Sequence, residues 1–151
     1  MRLPRFLILV VLLSGLVAGP TEAVAAPPSQ MQVARQFLLA VLRGDYATAY
    51  GLLAPEVTQA VSQKQFQAAA QSLYQAGQHY QPAFELYKFG LRVGEGEDVR
   101  RFYAFTFKAD TLAATPHVQL DVSFRDAAAT RVLFFGLIPI PPPPTSAATG
   151  R

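Results

Sequence analysis

The chain has 151 residues, of which 51% are hydrophobic and 15% are charged, and this is enough for one folded domain with a single core. The formal net charge of +3 is too small to indicate a protein that binds nucleic acid or an anionic membrane. Because the chain has no cysteine, disulfides, thiolate catalysis and lipid attachment through cysteine are excluded.

The first 25 residues have the pattern of a secretory signal peptide. Arg2 and Arg5 form a short positive region, residues 6–19 form an apolar stretch, and an A-x-A cleavage pattern ends at Ala25. The apolar stretch is shorter than the roughly 20 residues of a membrane-spanning helix. We therefore expect export from a bacterial cell, to the periplasm or the medium, with no membrane span after cleavage. Retention of the segment as an anchor is the alternative.

The first predicted helix begins at Ser29 and ends at Gly44. Ser29 and Gln32 have the spacing of a capping box, and Gly44 can adopt the positive φ that ends a helix. Asp45 is then a suitable N-cap for the second helix. The tripeptide Arg43-Gly44-Asp45 also occurs in cell-adhesion ligands. Because each of its positions already has a structural role, we interpret it as the joint between two helices.

Three further features organise the helical region up to residue 77. Pro55 is expected to interrupt or close the second helix, because proline lacks the backbone N–H that a helix interior needs. Ser62 and Gln65 form another capping-box pattern, which opens the third helix. Gly77 is expected to end that helix.

After residue 77 the apolar periodicity changes from helical to alternating, which predicts strands. The predicted strands cover residues 85–93, 102–108, 117–125 and 131–138. In the first of them, Tyr87, Phe89, Leu91 and Val93 are expected on one side. The folded domain is therefore assigned to residues 29–138. Residues 139–151 are rich in proline and are expected to form an extended, disordered tail.

Helices followed by a meander of strands indicate an α+β fold. The segments "ARQFLLAVLRGDYATAYGLLAPEV", "FQAAAQSLYQAGQHYQP" and "VQLDVSFRDAAATRVLFFGLIPIP" resemble the NTF2-like (cystatin-like, ketosteroid-isomerase-like) superfamily of conical domains. More narrowly, they resemble a bacterial exported domain of unknown function that also precedes secreted α/β-hydrolases. The resemblance implies N-terminal helices packed on a curved, mainly antiparallel four-stranded sheet. It brings no established catalytic residues.

The cone implied by this resemblance offers space for a small apolar ligand between sheet and helices. Aromatic residues on the predicted inner faces are the candidates to line it: Phe37, Tyr50, Phe66, Tyr87, Phe89, Tyr103 and Phe105. The same side chains are equally suited to fill the interior. The sequence does not separate a filled core from an open cavity, and we favour the filled core.

An isomerase or dehydratase reaction is the alternative function. NTF2-like enzymes such as ketosteroid isomerase place a carboxylate and a tyrosine inside the cone, where a carboxylate of raised pKa can act as a base. The tyrosines available for this role are Tyr46, Tyr50, Tyr87 and Tyr103. Asp121 is the obvious strand carboxylate, but alternation directs it away from Leu120 and Val122. We therefore assign no catalytic residue.

The remaining residue types indicate no other chemistry. His79 and His117 are far apart and lack the spacing of metal ligands, so no metal site and no cofactor are assigned. Ser29 and Ser62 are explained as caps, and there is no G-x-S-x-G motif. The sequence is interpreted as an exported, non-enzymatic NTF2-like domain. It is expected to bind a small apolar ligand or a protein partner at the cell envelope, and not nucleic acid.

The outer face of the predicted sheet is a candidate surface for a homodimer. Polar and apolar residues are mixed there on two strands: Arg100, Phe102, Ala104, Thr106, Gln119, Asp121, Ser123 and Arg125. The resemblance supports this prediction, because NTF2-like proteins often pair through such faces.

Overall fold

Four helices precede a sheet of four strands in the computed structural model, which describes residues 26–94, 98–112 and 115–141. The elements are α1 Gln30–Leu42, α2 Tyr46–Gly51, α3 Pro55–Ala60, α4 Gln63–Tyr80, β1 Phe84–Val93, β2 Val99–Phe107, β3 Val118–Phe124 and β4 Phe134–Pro139. This order confirms the α+β fold class. The predicted signal segment, residues 1–25, and residues 142–151 of the predicted tail lie outside the described residues.

Two helices begin at the capping boxes that the sequence predicts. At α1, the Ser29 hydroxyl accepts a hydrogen bond from the Gln32 backbone N–H at 3.3 Å, and the Gln32 side-chain oxygen accepts one from the Ser29 N–H at 2.7 Å. Ser62 and Gln65 form the same reciprocal pair at α4, at 3.3 and 2.9 Å. Both pairs satisfy backbone donors that have no partner within the helix. Both predicted boxes are confirmed.

The joint between α1 and α2 has the predicted geometry. Gly44 has a φ of +76°, a conformation that favours glycine. The Asp45 carboxylate caps α2 by accepting a hydrogen bond from the Thr48 N–H at 3.1 Å. Hydrogen bonds with Thr48 lower the pKa of Asp45. The structural interpretation of this tripeptide is therefore confirmed for its second and third positions.

Pro55 and Gly77 have different roles from those that the sequence predicts. Pro55 does not close a helix but is the first residue of α3, where the N–H that it lacks would have no partner within the helix. Gly77 does not end α4, which continues to Tyr80. A Cβ at Gly77 would lie 2.6 Å from the Leu42 Cδ2 atom, so this glycine permits the close approach of α4 to α1. The residue after the helix is Gln81, with a φ of 68°.

The strands form one antiparallel sheet in the order β1-β2-β3-β4. Residues directly opposite each other on neighbouring strands share a face of the sheet. The inner face, turned toward the helices, carries core residues of β2 and β3: Tyr103, Phe105, Phe107, Leu120, Val122 and Phe124. The outer face carries the residues between them: Phe102, Ala104, Thr106, Gln119, Asp121 and Ser123.

The register of β1 against β2 shifts between Leu86 and Lys88, which leaves Tyr87 without an opposite residue. Leu86 lies opposite a core residue of β2 before the shift, and Phe89 lies opposite Tyr103 after it. The alternation that the sequence predicts, with Tyr87 and Phe89 on one side, does not extend across this shift. A bulge of this kind inserts one extra residue and bends the edge of a sheet.

The helices and the inner face of the sheet form one core. Its most deeply buried large side chains come from both layers: Val33, Phe37, Leu38, Val41, Phe66, Leu73, Phe105, Phe107, Leu120, Val122 and Phe124. Phe66 of α4 has ring-centre distances of 6.1 Å to Phe37, 5.7 Å to Tyr50 and 5.3 Å to Phe135. Burial of these aromatic rings stabilises the contact between the layers.

Candidate functional site

One end of the β1–β2 hairpin leaves apolar side chains of the inner face exposed. The exposed fraction is 66% for Phe89, 65% for Leu91 and 72% for Val93, whereas Tyr103 of β2 is only 8% exposed. Val99 lies opposite Val93 and is 45% exposed. Soluble proteins rarely expose apolar side chains in one continuous group, and such groups mark interaction sites. This end of the hairpin is therefore the candidate site.

The start of α1 is held beside this end of the sheet by Gln30. The Gln30 side-chain amide donates hydrogen bonds to the carbonyl oxygens of Asp126 and Ala129, at 2.7 and 2.6 Å. Both acceptors lie in the connection that follows β3. Met31, the next residue of α1, is thereby placed against the inner face near Leu91.

A groove lies between the start of α1 and the hairpin. We call it the hairpin groove; its lining residues are Met31, Phe89, Gly90, Leu91, Arg101 and Tyr103. Its volume of about 330 Å³ is at the lower end of the roughly 300–1,000 Å³ that is typical of small-molecule sites. Most of the described lining is apolar, and its polar side chains are those of Arg101 and Tyr103. The groove therefore suits a small ligand with a predominantly apolar body.

The predicted pocket residues fall into separate groups. Phe89 and Tyr103 meet in the hairpin groove, where their rings are stacked with centres 6.2 Å apart and planes 18° apart. Tyr87 is 45% exposed at the bulge of β1, and the Lys88 ammonium lies 5.3 Å from its ring centre. The sequence predicted one aromatic lining, and the structure brings only two of its members into the groove.

Three of the other four predicted residues lie in the core, and Tyr50 is half-buried against it. Phe37, Phe66 and Phe105 are no more than 1% exposed, and the ring of Tyr50 contacts that of Phe66. The Tyr50 hydroxyl donates to the carbonyl oxygens of Val61, at 2.7 Å, and Thr58, at 3.1 Å. These contacts give Tyr50 a structural role, because its hydroxyl holds the segment between α3 and α4.

Four groove residues are absent from the sequence-based set, and one of them, Gly90, has no side chain by which the sequence could identify it. Met31 belongs to the apolar stripe of α1, and Leu91 belongs to the alternating pattern of β1, so both are indistinguishable from core residues in the sequence. Arg101 gave a clearer signal, because it occupies an inner position of a strand whose other inner positions are apolar. That signal depends on the register of the strand, which fixes the face of each residue.

Arg101 in the groove and Arg35 on α1 have no carboxylate partner among the described residues. Arg101 lies between Leu91 and Phe124 on the inner face. Arg35 is one helical turn beyond Met31, and its guanidinium carbon lies 5.9 Å from the ring centre of Phe84. Guanidinium groups next to apolar surface retain their donors for an incoming anion.

The carboxylate of Asp121 lies on the other face of the sheet. Arg92 Nη1 is 2.7 Å from Asp121 Oδ2, and the Arg92 guanidinium carbon lies 4.7 Å from the centre of the Phe102 ring. Leu120 and Val122 belong to the core. The predicted orientation of Asp121 is thus confirmed. Its side chain is fully buried rather than exposed at a polar surface, and so are its outer-face neighbours Ala104, Gln119 and Ser123.

The Asp110–His117 pair lies in the connection between β2 and β3. The two side chains are 2.6 Å apart, and the Asp110 carboxylate also accepts hydrogen bonds from the backbone N–H groups of His117 and Val118, at 2.7 and 3.0 Å. Burial alone would raise the pKa of Asp110, but these hydrogen bonds together lower it. The contacts tie the connection to the first residue of β3, which is a structural role.

Comparisons with protein-family models, with curated proteins and with solved structures give no match. Within the described part of the chain, none of the helices combines the length and the apolar character needed to cross a bilayer. In the same residues, no three histidine, aspartate or glutamate side chains come together in a group able to hold a metal ion.

Proposed function

We propose that this chain is an exported, non-enzymatic NTF2-like domain that binds a small apolar ligand in the hairpin groove, at the cell envelope. The observation that carries the proposal is the exposure of Phe89 and Leu91 beside a groove of about 330 Å³. Transfer of apolar surface from water into such a groove is favourable, at about 25 cal/mol per Å². A ligand there covers side chains that are otherwise in contact with water.

The proposed family and compartment depend on the sequence and on the element order. Helices on one face of a four-stranded antiparallel sheet agree with the architecture that the NTF2-like resemblance implies. Export is supported by the positive, apolar and small-residue regions of residues 1–25. An envelope protein meets apolar small molecules that partition between water and lipid, which suits a groove open to solvent.

The described lining of the groove offers no carboxylate or histidine for an acid–base reaction. Tyr103 and Arg101 are its polar residues. A general base must lie within hydrogen-bonding reach of the proton that it removes. The geometry of the described residues therefore favours binding over the isomerase or dehydratase alternative.

A titration of the purified protein with Nile red, a neutral apolar dye, tests the binding proposal. We expect increased dye fluorescence and a higher melting temperature at saturating ligand, since binding to the folded state alone stabilises it. Leu91→Ala is expected to weaken binding about fivefold, because it removes apolar surface from the groove.

Leu112→Ala is the matched control for this experiment. Leu112 is 90% exposed in the connection between β2 and β3 and does not line the groove. It is expected to leave the dye affinity unchanged. Absence of dye binding, or an equal loss of affinity in both variants, would contradict the proposal.

Self-association through the outer face of the sheet is a separate proposal. Five residues of the predicted surface are buried within the single chain: Ala104, Thr106, Gln119, Asp121 and Ser123. The exposed apolar residue of this face is Phe134 on the edge strand β4, which lies opposite Ser123 and is 49% exposed. Light scattering after size exclusion is expected to show a dimer that Phe134→Ser weakens. Monomer alone at high concentration contradicts the dimer. A dimer that Leu91→Ala dissociates would instead place a second copy in the groove and contradict the ligand proposal.

A further inference from the structure

Arg101 is a charged residue in an otherwise apolar row of β2. The residues of this strand that face the helices are Val99, Arg101, Tyr103, Phe105 and Phe107. Long cationic side chains on an apolar face usually extend along it, so that the stem contacts apolar surface and the head stays in water. Arg101 is half-buried and lines the hairpin groove. Its charge is therefore placed where a ligand in the groove would lie.

The neighbouring arginines are already engaged with carboxylates. Arg100 pairs with Asp98 at 2.7 Å, and Arg92 pairs with Asp121 at the same distance. Both are on the outer side of the sheet. Arg101, on the inner side, forms no ion pair with any described residue. Among the described arginines of the hairpin, the one without a carboxylate partner is therefore the one that lines the groove.

We infer that the ligand of the hairpin groove is an anionic amphiphile, with an apolar chain and a terminal carboxylate that Arg101 binds. This inference rests on the proposed function and adds the ligand class to it. Phe89, Leu91 and Met31 contact the chain, and the Arg101 guanidinium donates two parallel hydrogen bonds to the carboxylate. A medium-chain fatty acid has this chemistry.

Arg35, which also has no carboxylate partner among the described residues, lies outside the described lining of the groove. Its guanidinium carbon lies 5.6 Å from the ring centre of Phe105 as well as close to that of Phe84, so it is held over aromatic rings. Cation–π contacts of this kind stabilise the arginine where it is. Its positive charge raises the local potential one helical turn away from Met31. Arg101 is accordingly the residue that contacts the carboxylate.

Three probes with the same chain and different head groups test this inference: octanoate, 1-octanol and octyltrimethylammonium. Each is titrated into the purified protein below its aggregation concentration, and binding is followed by calorimetry or by amide chemical shifts. We expect octanoate to bind about tenfold more tightly than 1-octanol, as one charge-assisted bidentate contact allows. The cationic probe is expected to bind most weakly.

Variants distinguish the contribution of the Arg101 charge to ligand affinity from that of the apolar side chains of the groove. Arg101→Gln is expected to remove the preference for octanoate over 1-octanol, and Arg101→Lys is expected to retain part of that preference. Phe89→Ala is expected to weaken both ligands. Arg100→Gln is the matched control, because it removes the adjacent arginine of the same strand from the other face.

The outcomes distinguish this inference from the function on which it rests. Equal binding of octanoate and 1-octanol, both weakened by Phe89→Ala, overturns the anionic class and leaves the apolar groove in place. Loss of the preference in Arg35→Gln or Arg100→Gln, but not in Arg101→Gln, overturns the assignment to Arg101. Failure of every probe to bind, with Nile red also unbound, overturns the ligand-binding function itself.

Discussion

Two parts of the same sheet face have similar composition and opposite environments. Around Phe105, the inner face is covered by α1 and α4, and the aromatic rings there are buried. Around Phe89, the same face of the same two strands is exposed beside the first turn of α1. Apolar side chains in the covered part stabilise the fold. Those in the exposed part contribute little to stability and are available for binding.

The comparison shows that burial depends on where the helices end and not on residue type. α1 begins at Gln30, which is anchored to the connection after β3, so its first turn reaches only the edge of the exposed region. Both regions have the alternating aromatic pattern that is typical of strands. Exposed aromatic residues that stay ordered on a strand are a frequent feature of binding surfaces.

The largest expected effect is the loss of a core ring. Phe66→Ala is expected to lower the free energy of unfolding by about 3–5 kcal/mol, because it removes buried surface and leaves a cavity between α1, α4 and the sheet. Phe89→Ala, the same substitution in the exposed region, is expected to cost less than about 1 kcal/mol. Equilibrium denaturation in urea measures both. Similar losses for the two variants would contradict the division into a stabilising and a binding region.

A smaller effect is expected from adding a methyl group to a glycine of each region. In Gly77→Ala, the new Cβ would lie 2.6 Å from Leu42 Cδ2 in the core. Overpacking costs about 1–3 kcal/mol, and better helix propensity offsets about 1 kcal/mol of this, so a net loss of about 1 kcal/mol is expected.

Gly90→Ala is the counterpart in the hairpin. Its Cβ would lie 3.3 Å from Phe102 Cε1, and this ring is half-buried and can shift. We expect a change within about 0.5 kcal/mol, measured by the same denaturation experiment. A larger loss for Gly90→Ala than for Gly77→Ala would show that the hairpin is the more tightly packed region.

These glycines also show what could be predicted from the sequence. Local signals with a known hydrogen-bonding geometry were reliable, as at Ser29, Asp45 and Ser62, because a cap depends only on residues three positions apart. Gly77 has the residue type of a helix end, but its role depends on Leu42, which is distant in the sequence. Contacts between elements are not encoded in the local pattern that identified the caps.

The candidate site was predictable only in part, for a similar reason. Phe89 and Tyr103 belong to the aromatic set that the sequence offers, but nothing in their local pattern separates them from the buried Phe66. The separation comes from the position of α1 over the sheet and from the register shift at Tyr87. Arg101 became a candidate only when the register placed it on the inner face.

The smallest expected effect concerns acid sensitivity at the covered end of the sheet. Hydrogen bonds from His117 and Val118 lower the pKa of Asp110 from its ordinary value of 3.8. For a carboxyl group whose pKa is lower in the folded state, the stabilising contribution is present above about pH 4 and is lost as the pH falls toward the folded-state value. The urea midpoint of the wild-type protein is therefore expected to fall as the pH decreases below about 4.

Asp110→Asn tests whether this loss of stability at low pH comes from the covered end of the sheet. The variant is expected to be less stable at neutral pH, because the amide loses the charge that these donors stabilise, and to depend less on pH below 4. Asp98→Asn is the matched control in the hairpin, where the Asp98–Arg100 pair is exposed on both sides and contributes little. Urea midpoints at several pH values measure the difference. Asp98→Asn could instead be the variant whose stability depends less on pH below 4, with Asp110→Asn unchanged in this respect. The pH-dependent contact would then lie in the hairpin, which would contradict the contrast between the two regions for acid stability.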